Sequence, residues 1–184
     1  MHATRHRNRS AVVLFICAIM TSTKQVRAPV DRRESLALSL VRTLADSEGT
    51  YATFNGGYYD TLECLTAVRS CVPGVADMAP FLHGPSFEWD MKLSGYRFVF
   101  HPGPKVEPPD GWRPSPSAMS GFAFTAYAVG RDMEGLRSFC VDDWRFIYVT
   151  PSGTAPRVEN AKCVDRSHML DDEKRPVLVI EKRH

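Results

Sequence analysis

The sequence predicts an α+β fold in which an N-terminal helix packs on a four-stranded antiparallel sheet. Three observations lead there. Apolar residues recur at helical spacing over residues 32–54, and after residue 94 their period changes to two. Between the first two alternating segments lies "PGPKVEPPDGWRPSPSAMSG", with six prolines in 102–116. Proline lacks the amide hydrogen that a helix interior or a central strand needs, so residues 102–120 are expected to form a long exposed loop.

Taken in order, "MHATRHRNRS" is basic and "AVVLFICAIM" is an unbroken apolar run of ten residues. That run has the size of a secretory h-region and falls short of the roughly 20 residues that span a bilayer. Residues 1–28 are therefore read as a signal-like or short membrane segment with its linker. This predicts an exported protein that is periplasmic, at the cell surface or secreted, with residues 11–20 available for inner-membrane association. A short buried helix within the domain is the alternative, which the flanking arginines fit less well.

"DRRESLALSLVRTLADSEGTYATF" follows as an amphipathic helix. Asp31 and Glu34 have the spacing of a capping box, and Leu36, Leu40, Leu44, Tyr51 and Phe54 form the expected apolar stripe, widened by Ala37 and Val41. Arg42, Asp46 and Glu48 are placed on the opposite face. The helix runs into Asn55-Gly56-Gly57, and the two glycines are free to take the left-handed angles that end a helix. Residues 60–92 read as irregular. "GYRFVFHP", "GFAFTAYAVGR", "LRSFCVD" and "WRFIYVT" are the four predicted strands, with Asp142-Asp143 as the corner of a hairpin joining the last two. The domain is expected over 29–164 and a C-terminal tail over 165–184, in which "PVLVI" suits an added edge strand.

Charge narrows the function classes. Of the 23 lysines and arginines, five lie in residues 1–28 with no acid beside them, leaving 18 bases against 21 acids in the remainder. A body of net negative charge is poorly suited to phosphate backbones, so no nucleic-acid partner is expected. For the same reason Trp89, Tyr96, Phe98 and Phe100 are read as core and not as a base-stacking sheet.

Outside the apolar run, Cys64, Cys71, Cys140 and Cys163 allow three pairings. The gap in "CLTAVRSC" suits a small disulfide-closed loop, and Cys140 and Cys163 would then close a longer one. Four thiolates around zinc is the rival arrangement, but neither gap has knuckle spacing. Disulfides agree with export to an oxidising compartment.

No nucleophile elbow, phosphate-cradling glycine loop or metal-binding histidine pair is present. His2, His6, His83, His101, His168 and His184 are scattered; "GPS" at 84–86 and "MSG" at 119–121 lack the context of an activated serine; nothing in the sequence tunes Glu88 and Asp90 as acid and base. Two adjacent carboxylates at 142–143 fall short of the six or so oxygens a calcium site gathers, so a plain turn is expected. No catalytic residue, cofactor or metal is assigned.

"LALSLVRTLADSEGTYATFNGGYYDTLECL" resembles the end of the long helix and the following loop in type IV pilin-like proteins and the related type II secretion pseudopilins. Arg42, Thr43, Leu44, Tyr51, Gly57, Tyr58, Leu62 and Leu65 carry the likeness, and the strands through "PSGTAP" are similar to that family's meander over about residues 33–164. The resemblance implies a pilin-like fold and a non-enzymatic structural or accessory role in a type IV pilus or type II secretion system, with other subunits of that machinery as partners. It also likens Cys140–Cys163 to the disulfide that ties down the C-terminal region of many pilins. The sequence departs from the family at its N-terminal part, where no acid precedes Asp31 and no Gly-Phe-Thr-Leu-like stretch occurs. A soluble periplasmic or secreted binding domain that never enters a fibre is the alternative, and a hydrolase the third class.

Overall fold

The computed structural model describes residues 31–72, 78–83, 90–107, 114–133, 135–150, 153–166, 168–170 and 176–178. The apolar run at 11–20, Cys17, the serine at 86, Glu88, Trp89 and the middle of the proline-rich connection lie outside them.

Helix α1 spans Arg32–Phe54. Asp31 caps it by accepting the Arg33 N–H at 2.7 Å, but the expected reciprocal bond from Glu34 is replaced. The Glu34 carboxylate turns to Arg137, whose Nε donates at 2.8 Å, and so ties the first turn to the sheet. At the other end the Gly57 N–H reaches the Ala52 carbonyl at 2.7 Å. Gly56 and Gly57 both have positive φ, 69° and 88°, as the left-handed helix stop requires. The buried stripe is rotated from the expected one. Leu38, Val41, Leu44, Ala45, Glu48 and Tyr51 face inward, whereas Leu36 and Phe54 are about half exposed.

Helix α2, Leu62–Thr66, follows at once. The strands are β1 Asp90–Leu93, β2 Tyr96–Pro102, β3 Phe122–Ala128, β4 Ser138–Asp142, β5 Ile147–Thr150, β6 Val158–Glu159, β7 Lys162–Cys163, β8 His168–Leu170 and β9 Pro176–Leu178. β1-β2-β3-β4-β5-β8-β9 form one antiparallel sheet of seven strands, and β6-β7 form a separate hairpin. The four-stranded, pilin-like architecture expected from the sequence is therefore corrected. β2 to β5 are the four strands read from alternation. β1 adds a four-residue edge through the Ser94-Gly95 turn, where both residues have positive φ, the geometry of a tight type I′ hairpin. β8 and β9 come from the segment expected to be a tail.

The sheet has two covered faces. Phe98 and Phe100 of β2, Phe122 and Phe124 of β3, Phe139 and Val141 of β4, and Val149 of β5 form the core beneath α1. On the far face Cys140 and Tyr148 lie under Cys163 and Val158 of the β6-β7 hairpin. β4 is buried along its whole length for this reason.

Asp142-Asp143 is the corner between β4 and β5, with the Arg145 N–H bonded to the Asp142 carbonyl at 2.7 Å. The fully buried Asp142 carboxylate accepts from the Trp144 N–H at 3.1 Å, the Cys163 N–H at 3.1 Å and Arg166 Nη2 at 2.8 Å. Asp143 pairs with Lys162 nearer the surface. The expected exposed loop also needs correction at its second end, because Ser115, Ala118 and Met119 are buried. Met119 exchanges both backbone bonds with Tyr59, at 3.0 and 2.8 Å, and pins the strap across the helix–sheet junction. Gly103 lets the two arms of the loop meet, since a Cβ there would lie 2.3 Å from the Gly121 carbonyl oxygen.

Asp142→Ala is expected to lower the unfolding free energy by about 3 kcal/mol, because it removes a fully buried carboxylate from two amides and a partly buried guanidinium. Asp143→Asn, which loses one surface pair, is expected to cost about 0–1 kcal/mol. Denaturant titration of both variants separates the two roles, and equal small losses would contradict them.

Candidate functional site

The most concentrated polar chemistry lies in one layer between the C-terminal half of α1, the loop to α2 and the strap at 115–119. It begins at Glu48, which sequence reasoning placed on the solvent face and the structure buries completely. Glu48 Oε2 accepts the Asp60 N–H at 3.2 Å, while Oε1 is buried without a hydrogen-bond partner among the described residues. Burial pushes this carboxyl well above its ordinary range, and the neighbouring Asp60 charge pushes in the same direction against the bond from the Asp60 amide. Asp60, also fully buried, accepts the Tyr51 hydroxyl at 2.7 Å and the Thr61 N–H at 2.8 Å. Burial, then the bond to Asp60, raises the Tyr51 phenol, so it stays a donor.

From there the layer continues outward. Asn55 Nδ2 donates to the Tyr58 carbonyl at 3.1 Å, and its Oδ1 accepts the Ser115 N–H at 2.8 Å. Ser115 and Ser117 hydroxyls are 3.0 Å apart, and Ser117 Oγ lies 3.6 Å from Cys64 Sγ. Thr61 Oγ1 donates to the same sulfur at 3.5 Å. Above this end is a surface pocket of about 510 Å³, bordered by Ser70, Cys71, Lys105, Ser115, Ser117 and Met119.

The cysteines are joined as Cys64–Cys71 and Cys140–Cys163, with Cα separations of 5.6 and 6.0 Å. Other residues considered from the sequence are dispersed. His83 is exposed, and His101 sits half-buried on β2 with Nε2 3.1 Å from Thr125 Oγ1. Burial lowers the His101 pKa, which favours the neutral ring at physiological pH. Asp90 is held by Arg97 at the sheet edge. Tyr96, Phe98 and Phe100 are core. Among the described residues no group of three or more His, Cys, Asp or Glu is placed to hold a metal ion, and no helix is long and apolar enough to cross a membrane.

A signal for Glu48 was present in the sequence. It stands four residues after Leu44 and three before Tyr51, within the buried stripe itself. Gly49 beside it makes room for Arg145, whose Nη1 would lie 3.1 Å from an added Cβ. Nothing local marked Asp60, whose partners Tyr51 and Glu48 stand nine and twelve residues earlier on α1.

No protein-family model, no curated protein and no solved structure matches the chain.

Glu48 makes stability depend on pH with a defined sign. Its folded pKa is raised, so its contribution is complete below the ordinary value of 4.5 and is lost as pH climbs through the raised value. Across that window the unfolded chain releases a proton that the folded chain keeps. The nearly isosteric, uncharged Glu48→Gln variant is expected to lose this slope, so that its melting temperature relative to the parent rises with pH. Melting curves at stepped pH check this, and parallel profiles would contradict it.

Proposed function

We propose that the protein is an exported, non-enzymatic structural or accessory component of a type IV pilus or type II secretion system, acting through contacts with other subunits. The observation that carries this reading is the pair of disulfides, one on each side of the helix–sheet body, which suits an oxidising compartment outside the cytoplasm. The sequence likeness over residues 33–164 supplies the machinery. Three of the four carboxylates buried among the described residues are engaged, Glu34 and Asp142 by arginines and Asp60 by a phenol and an amide, which suits a structural role, whereas Glu48 keeps one oxygen without a partner among the described residues.

The β4–β5 corner is the surface proposed for subunit contact. Trp144 and Phe146 are 57% and 52% exposed there, and Arg166 lies over the Trp144 ring at 4.2 Å, which stiffens it. Preordered aromatics of this kind lose little entropy on binding and dominate interface energetics. The alternative, a periplasmic or secreted binding domain outside any fibre, draws support from the pocket beside Cys71, whose volume is in the small-ligand range.

Fractionation of cells expressing a tagged chain separates the two. Under the filament reading the protein co-purifies with sheared pili or secretion components, and Trp144→Ala with Phe146→Ala reduces recovery by at least about tenfold at unchanged melting temperature. A soluble monomer, indifferent to loss of that machinery, would replace it with the alternative.

A further inference from the structure

The two disulfides have different access to solvent. Cys140 and Cys163 are each 2% exposed and pack with Tyr148, Val158 and Met169. In the other bridge only Cys64 is buried, at 2% exposed; Cys71 is half-buried and forms part of the wall of the pocket. Among the described residues the pocket wall therefore includes one half of the bridge, Cys71, and not Cys64. Lys105 stands exposed on the same wall and favours an anion there.

The buried sulfur has what a departing thiolate needs. A disulfide sulfur accepts hydrogen bonds and donates none, so both hydroxyls at Cys64 Sγ, those of Thr61 at 3.5 Å and Ser117 at 3.6 Å, are donors to it. Ser115 Oγ, 3.0 Å from Ser117 Oγ, is placed to donate to Ser117 in turn. Each of these bonds strengthens as negative charge develops on Cys64. The exchange rate depends on which sulfur is reached and on how well the other leaves, and here the two requirements fall on different cysteines.

We propose that Cys64–Cys71 is a thiol–disulfide exchange site for a small, acidic thiol. The incoming thiolate attacks Cys71 Sγ and forms a new S–S bond. The Cys64–Cys71 bond breaks, its electron pair leaves on Cys64 as a thiolate, and the small thiol remains as a mixed disulfide on Cys71. A second equivalent of the thiol restores the Cys71 thiol and departs as its own disulfide, so that two thiols are oxidised for one bridge reduced. This site is independent of the filament reading, because it needs only the pocket and the bridge.

The test uses the full, oxidised chain in native buffer with reduced glutathione, quenched with acid, alkylated and mapped by mass spectrometry. The expected product carries glutathione on Cys71 and the alkyl group on Cys64, while Cys140–Cys163 stays closed. Thr61→Val with Ser117→Ala is expected to slow adduct formation by about tenfold, the loss of two modest hydrogen bonds to a charged group. Cysteamine, a cationic thiol, is expected to react more slowly than glutathione once each rate is divided by that for the urea-unfolded chain, and Lys105→Gln should remove that preference. Glutathione on Cys64, equal opening of both bridges, or no adduct on the native chain would each overturn the proposal.

Discussion

The tie between Cys140 and Cys163 is the constraint on which the rest of the structure depends. β4 runs through the middle of the sheet and is buried on both faces, so each face needs a cover. Helix α1 supplies one with its own stripe of apolar side chains. The other is the β6-β7 hairpin, with only two residues in each strand. A hairpin of that size buries too little apolar surface to hold itself in place. The disulfide fixes it to β4, and the Asp142 carboxylate, two residues along β4 from Cys140, binds its backbone at Cys163 and the Arg166 guanidinium beyond it.

The near face solves a different problem. The chain must leave α1, cross to the sheet and return under a long connection without leaving amides unpaired in the interior. Glu48 on the helix, Asn55 at its end and Asp60 in the crossing segment do this, each accepting a backbone N–H of the crossing segments. Burying two carboxyls so close together costs stability, and a raised Glu48 pKa is the physical response. What the arrangement secures is the position of the strap, and with it the wall of the pocket beside Cys71.

The helix, β2 and β3 were legible because each is long enough to show its period, and β4 and β5, with five and four residues, through their aromatic and β-branched content. α1 has 23 residues and β2 and β3 seven each, and the left-handed stop at Gly56-Gly57 was readable from residue type alone. β1 and β8 were not, because "DMKL" and "HML" are short, lack aromatic and β-branched content and are made by pairing with a neighbour already in place. "PVLVI", in contrast, was expected as an added edge strand, and β9 forms there at Pro176–Leu178. The rotation of the helix stripe has a similar cause. Leu36 and Phe54 have the composition of core residues, but their positions lie off the line joining Val41, Ala45 and Ala52, and geometry outranks hydrophobicity there. Of the polar site, Glu48 was detectable by its place in the stripe, whereas Asp60, Ser115 and Ser117 come together only through the strap, a contact separated by more than fifty residues.

The central claim is that a chain with two covered faces is locked by one bridge on each side and matures where thiols oxidise. Peptide mapping under non-reducing conditions, on protein recovered from the cells that make it with free thiols blocked at lysis, tests it most directly. The account predicts linked peptides containing Cys64 with Cys71 and Cys140 with Cys163. Free thiols at Cys140 and Cys163, or a link between the two pairs, would contradict it.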